Sequence, residues 1–160
     1  MSAWEAPGAS DEWFTPKYIF DALGVWFDMD VAAPAGGPRH VPTAQWLTKE
    51  DHGGAWDGFI WMNPPFGGRN GIAPWLNRFA AHGNGIALAP DRTSASWFQR
   101  AVRAADSVLF LSPKVRFERP DGSAGMSPST GTALMAIGGE GRRALRNGRS
   151  LGWLIENSPH

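Results

Sequence analysis

Four consecutive residues, Asn63-Pro64-Pro65-Phe66, bring together groups suited to the chemistry of an amine. The asparagine carries a primary amide whose oxygen accepts hydrogen bonds. The two prolines lack an N–H, fix φ at successive positions, and push Asn63 and Pro64 toward extended conformations. The outcome is a stiff corner that offers an amide, free carbonyl oxygens and an aromatic ring. Such a corner fits a planar ligand bearing an amino group. The same residues also describe a loop that merely ends a strand, and context decides between the two.

Acids form a second polar group. Asp28 and Asp30 interrupt the apolar run Val25-Trp26-Phe27-Asp28-Met29-Asp30-Val31, and the small residues 32–38 follow. Acids at the carboxyl end of a strand, before a loop of small residues, match the place where open α/β sheets bind ligands. A solvated strand end fits that pattern equally well. Asp51 opens the turn Asp51-His52-Gly53-Gly54 and is a further acid ahead of the corner.

These groups need elements to hold them. Phe59-Ile60-Trp61-Met62 has the length and composition of a strand that delivers Asn63. Thr15-Pro16 before Lys17–Leu23 reads as a helix start, with Thr15 as N-cap, Pro16 in the first turn and Gly24 as the stop. Residues 25–31 read as a strand, and 44–47 as a short helical or extended piece. Ile72, Trp75, Leu76 and Phe79 share one helical face and predict a helix over 72–81. Residues 86–89 read as a buried strand. A helix capped by Ser94 or Ser96 then runs to Ala105, and 107–111 is the next strand. Alternating strands and helices imply parallel strands joined by crossovers. Past Pro113 the pattern changes. Residues 114–118 alternate like a half-exposed strand, 119–130 form a Gly/Pro/Ser-rich loop, and 132–137 read as a strand, so an antiparallel pair is expected there. A short basic helix over 139–148 and a closing strand over 151–155 complete the expectation. No repeat or linker divides the chain. Residues 1–12 read as a flexible start, 13–156 as one domain and 157–160 as a tail.

Composition narrows the chemistry. The 160 residues contain no cysteine, which excludes disulfides and thiolate metal sites, and the four histidines are scattered without ligand spacing, so no metal is expected. Nothing reads as a signal peptide or a membrane span, so a cytoplasmic protein is expected. Nine tryptophans against one tyrosine point to packing by large aromatics. Net charge is zero but unevenly spread: residues 1–62 hold nine acids and three bases, residues 63–160 twelve bases and six acids. That asymmetry permits a basic face beside an acidic pocket, unless the fold interleaves the halves.

Asn63-Pro64-Pro65-Phe66 resembles the catalytic Asn-Pro-Pro-aromatic motif of amino-group methyltransferases that use S-adenosylmethionine (SAM). More of the chain is similar to the small phage-type DNA N6-adenine methyltransferases of the Dam family. Trp13-Phe14-Thr15-Pro16 with Ile19-Phe20 resembles the family's N-terminal segment, and Phe27-Asp28-Met29-Asp30-Val31-Ala32-Ala33 its cofactor segment. Trp56-Asp57-Gly58 leading into Trp61–Phe66 resembles its catalytic strand. Pro90, Arg92-Thr93 and Trp97-Phe98 follow in the family's order, as do Arg116-Phe117 and Ser127-Pro128-Ser129. The match covers roughly residues 11–138.

The resemblance implies a compact Rossmann-like SAM-dependent methyltransferase domain of class α/β, with a mostly parallel sheet and an antiparallel C-terminal hairpin. It implies Asn63, Pro64, Pro65 and Phe66 as catalytic residues. Thr15, Pro16, Asp28 or Asp30, Ala32 and Asp51 are implied around the cofactor, with an acid holding the methionine ammonium. DNA is the implied partner, and Arg69, Arg92, Arg116 and Arg119 are candidate phosphate contacts. Arg142, Arg143 and Arg146 are weaker candidates and also fit a solvated helix face. The implied location is the cytoplasm of a bacterium or phage-infected host.

The motif's chemistry follows from adenine. Its exocyclic amine is a poor nucleophile because the lone pair is delocalised into the ring. Oxygens of Asn63 and Pro64 that accept both amine hydrogens turn that lone pair toward a methyl donor and stabilise the charge that develops. Three departures are visible. Phe66 replaces the more frequent tyrosine, Lys114 stands where an arginine is expected, and fewer than thirty residues separate Pro34 from Asn63, which implies a shortened intervening strand. Cytosine N4 or another planar amine or amide is an alternative acceptor, and a degenerate nucleic-acid-binding module is an alternative of another class.

Overall fold

A computed structural model describes residues 13–51, 53–67, 71–125 and 130–157. Among these residues the elements are α1 (Lys17–Leu23), β1 (Met29–Ala33), β2 (Trp46–Thr48), β3 (Ile60–Met62), α2 (Ala73–His82), β4 (Gly85–Pro90), α3 (Ser96–Ala104), β5 (Ser107–Leu111), β6 (Thr132–Ile137), α4 (Gly139–Asn147), a 3-10 turn (Arg149–Leu151) and β7 (Gly152–Glu156). The seven strands form one sheet in the order β2-β1-β3-β4-β6-β5-β7. β2, β1, β3 and β4 are parallel neighbours. β6 is antiparallel to both β4 and β5, and β7 is antiparallel to β5. Five strands therefore share a direction, although half of the neighbouring pairs are antiparallel.

Alternation along the strands builds two cores. Ile60 and Met62 of β3, with Ala87 and Ala89 of β4, face α2 and α3 through Leu76, Phe79, Phe98 and Ala101. Trp61, Ile86 and Leu88 face the other way, onto Ile19, Phe20 and Leu23 of α1 and Ala144 and Leu145 of α4. The period-two side-chain pattern of a strand thus gives three layers, with helices on both faces of the sheet. Trp61 is fully buried, with Phe20 edge-on at 4.8 Å between ring centroids. It is the one fully buried tryptophan among those described; Trp26, Trp46 and Trp153 are exposed, so the aromatic surplus does not all serve packing.

Several expectations shift. Residues 114–118 do not form a strand with 132–137. Glu118 makes isolated bridges to Phe14 and Ala124, while β6 takes the place between β4 and β5. Burial explains the choice. The continuous apolar run of β6 is buried over Thr132–Met135 and Ala136 and suits the middle of a sheet, whereas Lys114 and Arg116 require solvent and only Val115 is buried between them. The strand expected over 25–31 runs from Met29 to Ala33, because Asp28 Oδ2 accepts the Phe59 N–H at 2.7 Å and bends the chain before β1. The 44–47 piece is extended and supplies β2.

The helix starts also differ from expectation. α1 has Pro16 as its N-cap, with no side-chain cap bond, so Thr15 is not the cap. α3 is preceded by Ala95 rather than capped by Ser94 or Ser96. Gly24 at φ 62 and Gly83 at φ 77 stop α1 and α2 in the left-handed region that glycine favours. α4 and β7 form as expected.

Candidate functional site

Asn63 follows the last residue of β3, between the parallel strands β1 and β4. Trp61 is in register with Asp30 of β1. Ala32 lies two residues beyond Asp30, as Asn63 lies two beyond Trp61, so the corner and the small-residue segment share the carboxyl edge of the sheet. Asn63 is half-buried, Pro64 is buried, and Pro65 and Phe66 are exposed. Phe66 is 38% exposed. Asn63 Nδ2 donates to Thr15 Oγ1 at 3.3 Å. Among the described residues Asn63 makes no other side-chain hydrogen bond, so its Oδ1 is left unengaged.

The two cofactor-segment acids have different environments. Asp30 is 3% exposed, and its Oδ1 accepts the Ala32 N–H at 3.1 Å. No cationic side chain among the described residues pairs with it. Burial pushes its carboxyl up to about 7, partly offset by that backbone hydrogen bond. A buried carboxylate without a counter-charge is costly, and either a proton or a cation beside it relieves that cost. Asp28 is different: its carboxylate serves the Phe59 N–H at the amino ends of β1 and β3, at the opposite edge from Asn63. Asp51 Oδ2 accepts from the Thr48 N–H at 2.8 Å and the Thr48 hydroxyl at 2.9 Å, closing the turn that follows β2. That turn is at the carboxyl end of β2, next to β1, so Asp51 borders the site while serving the turn.

An open cleft of about 740 Å³ has Pro16 in its wall. Pro16, Tyr18, Pro113, Lys114, Arg116 and Glu118 line it, and neither Asn63 nor Asp30 does. Its outer wall is a turn held by side chains. Phe14 and Glu118 exchange backbone hydrogen bonds, each at 2.9 Å. Arg39 lies over the Phe14 ring at 3.8 Å and donates to the Arg119 carbonyl at 2.9 Å. His40 Nε2 meets Glu118 Oε1 at 3.0 Å.

The candidate DNA contacts separate. Arg92 and Arg116 are exposed near the carboxyl edge, after β4 and β5. Arg119 donates to the Ala124 carbonyl at 2.9 Å and approaches the Trp13 ring at 5.7 Å, so it braces the turn. Arg69 and the Ser127-Pro128-Ser129 segment lie outside the described residues. Arg146 pairs with Glu156, which is in register with the first residue of β5, away from Asn63.

The family model for DNA N-6-adenine-methyltransferase (Dam) matches residues 6–139. The chain belongs to the Dam family. The matched span holds Thr15, Asp30, the Asn63 corner and the whole cleft, and ends as α4 begins, so β7 lies beyond the Dam match. No curated protein and no solved structure matches the chain. Among the described residues, no group of three or more His, Asp or Glu side chains could hold a metal ion, and no helix is long and apolar enough to cross a membrane.

Two features of this Dam-family site leave little trace in the sequence. The first is the Thr15–Asn63 contact, which joins positions 48 apart and leaves no periodic signal. The second is the bracing role of Arg39 and His40, whose partners lie about eighty positions downstream. Its only hint is a cluster of bases and aromatics in segments otherwise without pattern.

Proposed function

We propose that this chain is a single Rossmann-like methyltransferase domain over residues 13–156 that transfers a methyl group from SAM to the exocyclic N6 amine of adenine in DNA. The observation that carries the reading is the juxtaposition of Asn63-Pro64-Pro65-Phe66, at the carboxyl end of β3, with the buried and uncompensated Asp30 of the adjacent β1. Family membership supports the same reaction. Asp30 suits the ammonium of a methionine moiety, and Ala32 and Ala33 leave room beside it; Thr15, Pro16 and Asp51 border the same edge. When bound, SAM supplies a methyl group on a positively charged sulfur.

The remaining chemistry belongs to the chain. The target base leaves the duplex, at a cost of a few kcal/mol. Phe66 stacks on it, and stacking of this kind contributes about 1–3 kcal/mol per base. Asn63 Oδ1 and the Pro64 carbonyl accept the two amine hydrogens. Pro65 keeps the corner rigid, so little reorganisation is needed as charge develops on nitrogen. Arg92 and Arg116, exposed near the same edge, take backbone phosphates; Arg69, a few positions after the motif in sequence, is a further candidate.

Labelled SAM, incubated with DNA and with protein acceptors, tests the reading, with digestion of the DNA to nucleosides to locate the methyl group. The expected product is N6-methyladenine. Label in N4-methylcytosine or in protein would reassign the acceptor. DNA binding without SAM binding would sink the enzymatic reading altogether.

A further inference from the structure

Thr15 is one of the few buried polar side chains, at 5% exposure. Its hydroxyl does not serve α1, which starts from Pro16 without a side-chain cap. Its partner is the Asn63 amide, at 3.3 Å. This pairing matters because an asparagine amide presents an acceptor and a donor of nearly the same shape, exchanged by a half-turn about its last torsion. Only one orientation serves amine chemistry: turned the other way, the NH₂ group would meet the N–H groups of the target.

We propose that Thr15 is a positioning residue that restrains rotation of the Asn63 amide, keeping it available to the reacting amine in one arrangement. The inference rests on the methyl-transfer reading of Asn63. Thr15 Oγ1 accepts from Nδ2, so the acceptor oxygen is left on the opposite side, and no second side chain among the described residues fixes the torsion. The support is stiff at both ends. Pro16 confines Thr15 to extended geometry. α1 buries Ile19, Phe20 and Leu23, and Phe20 packs on Trp61, two residues before Asn63 on the same chain. The hydroxyl and the amide are thus anchored to one block of core. A direct contact between Thr15 and the cofactor would instead make its loss a loss of cofactor affinity.

The test compares Thr15→Val, which keeps the shape and removes the hydroxyl, with Thr15→Ser, which keeps the hydroxyl. DNA methylation rates and SAM affinity by calorimetry are measured on the full chain. Thr15→Val is expected to lower kcat about ten- to a hundredfold, the scale of a misoriented reacting group, with SAM affinity changed by less than about twofold. Thr15→Ser is expected to restore kcat to within about threefold of wild type, because the hydrogen bond is kept. A Thr15→Val variant with wild-type kcat overturns the proposal, and so does a parallel fall in kcat and SAM affinity. If Thr15→Val does not melt cooperatively, Thr15→Ala replaces it, and equal losses in the serine and alanine variants overturn the role of the hydroxyl. Wild-type activity in the same assay separates the two readings: an inactive wild type refutes methyl transfer, whereas an active wild type indifferent to Thr15→Val refutes only the positioning role.

Discussion

Asn63 and Asp30 stand on neighbouring strands, and their environments predict opposite consequences of substitution. In the proposed reaction Asn63 contributes an acceptor that counts most as charge develops on the amine. Asn63→Ala is therefore expected to lower kcat by about a hundred- to a thousandfold, the scale for removing one preorganised polar group, while SAM affinity measured by calorimetry stays near wild type. Asp30→Asn should do the reverse and weaken SAM binding. Asp30 also predicts a pH dependence. Its folded-state carboxyl holds a proton up to about 7, against 3.8 for an ordinary aspartate. Between those values the folded chain binds more protons than the unfolded chain, so stability falls as pH rises through that window. In thermal melts without SAM, wild type should lose stability relative to Asp30→Asn as pH rises from about 4 to about 7. SAM affinity should rise through the upper end of the same range, because the ionised form is the one an ammonium stabilises.

At the scale of elements, the site depends on how β1 and β3 begin. Asp28 ties the starts of these two strands together through the Phe59 N–H. Gly58 makes that approach possible: its φ is 73, and a Cβ there would collide with the Asp28 carboxylate. Gly58→Ala should therefore cost at least about 1–2 kcal/mol from the left-handed backbone alone, and more if the Asp28 hydrogen bond is lost. Urea denaturation measures this. Trp61 is the second support, fully buried between Phe20 and Phe27. Trp61→Ala should cost about 3–5 kcal/mol by the same measurement, since large aromatic deletions leave cavities that the core fills only partly. Between Pro34 and Asn63 the described residues form β2, three residues long at the edge of the sheet, before β3 begins.

At the scale of the molecule, the two halves of the chain divide the sheet between them. β2, β1 and β3 come from the acidic residues 1–62 and stand together on one side of the sheet, and β4, β6, β5 and β7 come from the basic remainder. The strands of the two halves do not interleave, and Asn63 emerges at their seam. Arg116 lines the cleft without an intramolecular partner among the described residues. Arg116→Ala should weaken DNA binding at all sequences and reduce the slope of log affinity against log salt by about one, as read by titration at several salt concentrations. Arg119→Ala should instead loosen the turn that Trp13, Arg39 and Glu118 hold.

The sequence by itself determined the helices and buried strands, because their apolar periodicity is local and strong: Ile72, Leu76 and Phe79, or the run of β4, leave little choice of structure. It also singled out Asn63-Pro64-Pro65-Phe66, since two prolines restrict a backbone whatever surrounds it. Tertiary structure decided the rest. Position between β4 and β5 went to β6 because only a continuous apolar run tolerates burial on both faces, which no local pattern in residues 114–118 could reveal. Asp28 and Asp30 look alike in sequence and separate only when the ends of β1 define two edges. Thr15 reads as a helix cap by its neighbours, yet the fold brings its hydroxyl to Asn63, because a hydrogen bond between positions 48 apart is set by the docking of α1 on β3 and by nothing nearby in the chain.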